Sequence, residues 1–219
     1  PGREQGRDDS DPQGNKIDGG HYFYQTFLQD IPIAGSAEAS QITLTEPGGG
    51  TFHLRFVGNG SEEGRALDFE NSIGMDGIWT SADGTRTYPV SLRGTLIRQG
   101  ADSGHRYSDV TSGSDAAFEG RVQSCFRAIL RGDKTTAVRF ISYPLHASFP
   151  NRKSRVYRNS AEVLAAWNDL FPPAMVAKLR EDLPHDMFVH DGMAMLGNGE
   201  AWFDAKGLAD LNVFMARQR

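Results

Sequence analysis

Hydrophobic and polar residues alternate through the first half of the chain. Ile42 and Leu44 alternate with Thr43 and Thr45, and Phe52, Leu54 and Phe56 alternate with His53 and Arg55. A period of two places one set of side chains on a core face and the other in water, which predicts strands. Pro47-Gly48-Gly49-Gly50 separates these two strands as a turn. The aromatic run His21-Tyr22-Phe23-Tyr24, the pair Leu67 and Phe69, the segment Ile78-Trp79-Thr80, and Tyr88, Val90 and Leu92 extend the signal. Ser81-Ala82-Asp83-Gly84 reads as a hairpin connection, because Asp-Gly tolerates positive φ. The spacing predicts an antiparallel β meander over residues 20–98, curled into a small barrel or sandwich.

Residues 99–115 are poor in aliphatics and rich in Gly, Ser and Asp, which predicts a linker. Beyond them the period lengthens. Phe118, Val122, Phe126 and Ile129 recur at helical spacing, with Ser114 or Asp115 placed to cap the start and Gly132 the end. A short helix and then an extended segment are expected over Thr135–Leu145. Asn159-Ser160 ahead of Glu162 opens another helix whose apolar stripe is Val163, Trp167, Leu170 and Phe171. Pro172-Pro173 stops it and opens a turn carrying Met175, Val176 and Leu179. Strands follow at Met187–Leu196 and Glu200–Phe203, joined by Gly197-Asn198-Gly199, with a last strand at Leu208–Met215. Helices followed by a sheet predict an α+β domain over residues 116–219.

Composition narrows the function classes. The 219 residues carry a net charge of −5, which argues against a dedicated nucleic-acid binder. No apolar run reaches the roughly 18 residues of a membrane-spanning helix. The single cysteine, Cys125, excludes an intrachain disulfide and a thiolate zinc cluster. Between Pro1 and Gly20 the only aliphatic residue is Ile17, so residues 1–19 read as a disordered leader or tag remnant.

Two resemblances follow. Phe118 to Asp133, Phe140-Ile141-Ser142-Tyr143-Pro144-Leu145, Ser160 to Phe171, and Asp186-Met187-Phe188-Val189 running on to Trp202-Phe203 resemble an NTF2-like (cystatin-like) α+β domain. That resemblance implies a curved sheet with helices packed into its concave face. Gly20-His21-Tyr22-Phe23-Tyr24, Ile31-Pro32-Ile33, Leu44-Thr45-Glu46, Gly77-Ile78-Trp79 and Pro89-Val90-Ser91-Leu92 resemble a β module of uncharacterised exported bacterial proteins. Together these resemblances imply export to the periplasm, with the signal removed.

Catalytic signatures are sparse. The sequence holds no Gly-x-Ser-x-Gly elbow, His-Glu-x-x-His pair, phosphate loop or dinucleotide fingerprint, so no cofactor, metal or catalytic set is expected. Asp186 and His190 are four apart and would share a face of one strand. With Tyr143, His146 and Trp202 they would line the concave pocket of an NTF2-like domain; the other reading is a hydrogen-bonded sheet edge without ligand. Cys125 reads as a small core residue, with a nucleophile served by His146 or His185 as the alternative. Arg152, Lys153, Arg155 and Arg158 beside Tyr157 form a basic patch that would dock a phosphate or acidic partner, or else a solvated loop. The loops Gly58–Arg65, Asn151–Arg158 and Gly197–Gly199, the last with Asn198 at its tip, are the candidate contact regions. The leading expectation is a non-enzymatic periplasmic protein that binds and neutralises another protein, such as an inhibitor or an immunity protein against an antibacterial toxin. The alternative is an NTF2-like small-ligand-binding protein or enzyme using Asp186 and His190.

Overall fold

The computed structural model describes residues 15–58, 66–69, 71–93, 105–150 and 152–214. The chain divides into two units, Pro1–Gly100 and Ala101–Arg219. Among the described residues each holds one six-stranded sheet and the helices all fall in the second, so the protein is α+β and mostly β.

In the first unit β1 (Asn15–Phe23), β2 (Asp30–Glu38), β3 (Gln41–Thr45), β4 (Thr51–Val57), β5 (Gly74–Thr80) and β6 (Thr87–Arg93) form one antiparallel sheet in chain order. It is a single layer, not the two layers of a sandwich. The register pairs Ile42 with Leu54 and Leu44 with Phe52, so the alternating apolar positions meet on one face. There Ala37, Ile42, Leu44, Leu54 and Phe56 are buried, with Ile17, Ile33 and Val90 packed against them. Tyr22 of β1 and Phe52 of β4 are three strands apart, roughly 14 Å across a flat sheet, yet their ring centroids are 5.5 Å apart, so the sheet is strongly coiled. Glycine permits the coil. At Gly77 a Cβ would overlap the His53 carbonyl oxygen and lie 2.8 Å from Leu54 Cα, both backbone atoms that cannot give way.

β1 begins at Asn15, inside the stretch read as a leader. Its pairing with β2 supplies the order that local composition did not promise. Residues 1–14 and the contact loop anticipated at 59–65 lie outside the described residues.

In the second unit α1 (Asp115–Arg131) starts where expected: the Ser114 hydroxyl accepts the Ala117 N–H at 3.3 Å, and Gly132, at φ 69°, ends the helix in the left-handed region. A short α2 (Lys134–Ala137) and a 3-10 turn (Val138–Phe140) lead into β7 (Ile141–Phe149) and β8 (Arg152–Tyr157). Then come α3 (Ser160–Ala165), α4 (Trp167–Leu170) and α5 (Pro173–Leu179). α3 opens with a reciprocal cap, in which Asn159 Oδ1 accepts the Glu162 N–H at 3.0 Å and Glu162 Oε2 accepts the Arg158 N–H at 2.8 Å. Finally β9 (Phe188–His190), β10 (Met193–Leu196), β11 (Ala201–Phe203) and β12 (Leu208–Asn212) meander back. The sheet order is β8-β7-β12-β11-β10-β9, antiparallel except for the parallel pair β7 and β12.

Three expectations are corrected here. The linker anticipated at 99–115 is, from His105 onward, part of the second unit's core: Tyr107 is wholly buried. The strand expected over Met187–Leu196 is broken into a hairpin by Asp191 and Gly192, at φ 49° and 73°. The basic loop at 152–158 is instead the edge strand β8; both its faces are wet up to Val156, so it shows no alternation in sequence.

Gly77→Ala is expected to destabilise the first unit by about 3 kcal/mol, at the upper end of overpacking costs. Denaturant unfolding monitored by tryptophan fluorescence in a Trp167→Phe, Trp202→Phe background checks it; an unchanged midpoint would refute the close backbone approach at Gly77.

Candidate functional site

The inner face of the second sheet is filled. Leu145 and Ala147 of β7, with Leu211, Ala201 and Leu196 on neighbouring strands, form one core with Phe118, Val122 and Cys125 of α1. The Cys125 thiol is completely buried and its pKa is pushed up to about 12 by desolvation, so it is an inert core residue and not a nucleophile.

The five residues anticipated around one pocket are divided. Tyr143 lies on the inner-face side of β7, half-buried, and its hydroxyl donates to the Val138 carbonyl at 3.2 Å. Burial, and then the neighbouring Cys125, raises its pKa. His146 and Trp202 lie on the opposite, outer face, where the register carries a row through Val156, His146, Asp210, Trp202, Met195 and Phe188. His146 Nδ1 is 3.6 Å from Asp210 Oδ1. His190 joins the outer face, its ring stacked on Phe188 at 6.2 Å and its Nε2 3.3 Å from Asp191. Asp186 precedes β9 at φ 49° and sits 3.2 Å from Arg106 Nη1. The shared face expected of Asp186 and His190 presupposed a continuous strand, and β9 begins only at Phe188.

Sequence reasoning missed a buried polar cluster. Glu119 of α1 is 7% exposed, Tyr107 0% and His185 5%. Glu119 Oε1 accepts the Tyr107 hydroxyl at 2.6 Å and the Asp186 N–H at 3.0 Å, with Arg106 Nη1 at 3.4 Å. Glu119 Oε2 lies 2.6 Å from His185 Nδ1. The Tyr107 oxygen in turn accepts the Met187 N–H at 3.0 Å. Burial, and then its bond to Glu119, raises the Tyr107 pKa far above the usual phenol range. The cluster ties residues 105–107 and 185–187 to α1. Its only early signal was Glu119 at a helix position flanked by Phe118 and Val122.

The basic patch is connected to the Asn198 turn only through Phe149, on which Arg152 stacks and which lines the same groove as Asn198. Arg152, Lys153 and Arg155 are exposed on edge strand β8, and Arg158 follows it. Tyr157 is a correction to that patch: it is 6% exposed and belongs to the core. The Arg152 guanidinium stacks 3.9 Å over the Phe149 ring and pairs with Asp169 at 3.2 Å. Phe149 and Pro150 form one wall of a groove of about 400 Å³, and Asn198 and Gly199 form another. The turn is held from beneath: Glu200 Oε2 accepts the Asn198 N–H at 2.5 Å, and Asn212 Nδ2 donates to the Gly199 carbonyl at 2.6 Å. Lys178 Nζ lies 3.8 Å from Glu200 and 3.9 Å from the buried Asp182. Burial, and then the Glu200 charge, pushes the Asp182 pKa up to about 6.

No family model, no curated protein and no solved structure matches this chain.

Two outcomes test this geometry. Tyr107→Phe leaves the Met187 N–H without its buried acceptor and is expected to cost about 1–3 kcal/mol of stability in denaturant melts. Because the folded-state pKa of Asp182 lies above its ordinary value of 3.8, folding favours the protonated acid. That contribution is complete at lower pH and is lost as pH rises through about 6. Asp182→Asn should therefore be more stable than the parent at pH 8 and lose that advantage at pH 3. A pH-independent difference would contradict the assignment.

Proposed function

We propose that this chain is a non-enzymatic protein of the bacterial envelope that captures and neutralises another protein, as an inhibitor or an immunity protein against an antibacterial toxin. The observation that carries this reading is β8. It is an edge strand exposed from Arg152 to Val156, with Arg152, Lys153 and Arg155 on it, in a chain whose net charge is −5. An edge strand offers unpaired N–H and C=O groups to a partner's extended segment, and its cations select an acidic one. The Phe149–Asn198 groove beside it would receive a side chain of the same partner. Charged side chains on an edge also guard against self-association, so charge reversal separates recognition from simple edge protection.

Export and the NTF2-like assignment belong to the same proposal. Their support is the resemblance of both halves to exported proteins and the element order: α1, the β7–β8 hairpin, further helices, then a meander returning to β7. A ligand-binding or enzymatic second unit using Asp186 and His190 has less support, because these residues make contacts with Arg106 and with Asp191 and Phe188.

The test is co-purification of the full chain with the product of the adjacent gene, and protection of cells from that product. Lys153→Glu combined with Arg155→Glu is expected to weaken the complex at least about tenfold and leave the melting curve unchanged. Full binding by the double variant would eliminate β8 as the interface, and failure of the parent chain to capture or protect against that product would eliminate the function.

A further inference from the structure

A second surface belongs to the first unit and is independent of β8. At one end of the coiled sheet, Tyr22, Phe52, Trp79 and Tyr88 come from four different strands and, with Tyr24 just beyond β1, line a trough of about 820 Å³. This lies within the range of roughly 300–1,000 Å³ typical of ligand sites. The Trp79 and Tyr88 rings are cross-strand neighbours, stacked at 24° with 5.8 Å between centroids, and Tyr88 remains exposed beside the trough. Tyr22 stands edge-on to Phe52 at 5.5 Å and to Tyr24 at 5.7 Å, forming the facing wall. Tyr24 and Tyr88 remain 54% and 55% exposed, although the same sheet face buries smaller side chains a few residues away. Two charged groups share the trough: the Glu46 carboxylate, which accepts the Tyr22 hydroxyl, and Arg86. The hairpin carrying Arg86 is pinned by Ser81, whose hydroxyl oxygen accepts the Arg86 N–H at 3.0 Å and whose hydroxyl donates to Asp83 at 2.6 Å.

We propose that this trough binds an oligosaccharide of β-1,4-linked pyranoses with equatorial hydroxyls. Such rings carry a flat C–H face that stacks on an aromatic platform, and a rim of hydroxyls that both donate and accept. Glu46 supplies an acceptor and Arg86 a planar donor at that rim. A fatty chain would not use either charge, and a stacked nucleotide strand would bring phosphates toward Glu46 in an acidic chain.

The experiment titrates the full chain with tetrasaccharides of β-1,4-linked N-acetylglucosamine and of β-1,4-linked glucose. A proline-rich decapeptide serves as the competing probe, and calorimetry and tryptophan fluorescence are the readouts. Saturable binding of at least one tetrasaccharide is expected. Tyr88→Ala and Tyr24→Ala should each weaken it about tenfold without moving the melting curve, and Trp202→Phe, in the other unit, should leave it unchanged. Absence of saturable sugar binding, binding of the peptide alone, or parental affinity in both tyrosine variants would overturn the proposal.

Discussion

A buried carboxylate organises the second unit. Glu119 sits on the inner side of α1 among aromatic and aliphatic neighbours, where an unpaired charge would cost several kcal/mol. The Tyr107 hydroxyl, the Asp186 N–H, Arg106 and His185 surround it, and they come from two segments far apart in sequence. Those segments cannot leave without stripping the carboxylate of its partners. The polypeptide before α1 is thereby held against the helix, and residues 185–187 are fixed where β9 begins. Whatever the outer surface of this sheet does depends on that anchoring, since β9 and β10 are short strands of three and four residues.

The first unit solves a different problem. One sheet with one apolar face has no helix of its own among the described residues to cover it, so the sheet coils and brings Tyr22 of β1 against Phe52 of β4. Coiling brings β1, β4, β5 and β6 side chains to a common trough and leaves large aromatic rings at its rim. The same bend that builds a small core thus creates a concave aromatic surface as its by-product, with Glu46 already engaged by Tyr22.

Charge is distributed unevenly enough to matter. Acidic groups are drawn inward at Glu119 and Asp182, whereas cations accumulate on the outermost strand β8. Burial of Asp182 raises its pKa, and Lys178 lies close enough to offset part of that cost. The turn bearing Asn198 rests on the Glu200 carboxylate, so the groove beside β8 has rigid support rather than a free loop.

Local pattern alone determined a good deal. The alternation at Ile42–Leu44 and Phe52–Phe56, the Ser114 and Gly132 caps and the Asn159–Glu162 box mark their elements because these signals act within a few residues. The buried position of Cys125 was likewise readable from helical spacing. Partners distant in sequence decided the rest. Asn15–Phe23 is a strand only because β2 pairs with it, and Arg152–Tyr157 only because β7 does. Tyr107 is core because α1 presents Phe118 to its ring and Glu119 to its hydroxyl. Asp186 and His190, joined on paper by a spacing of four, part because Asp186 turns at positive φ before its strand starts. Short-range spacing fixes backbone preference; which side chains share a site depends on long-range burial and pairing, whose free energy no local window contains.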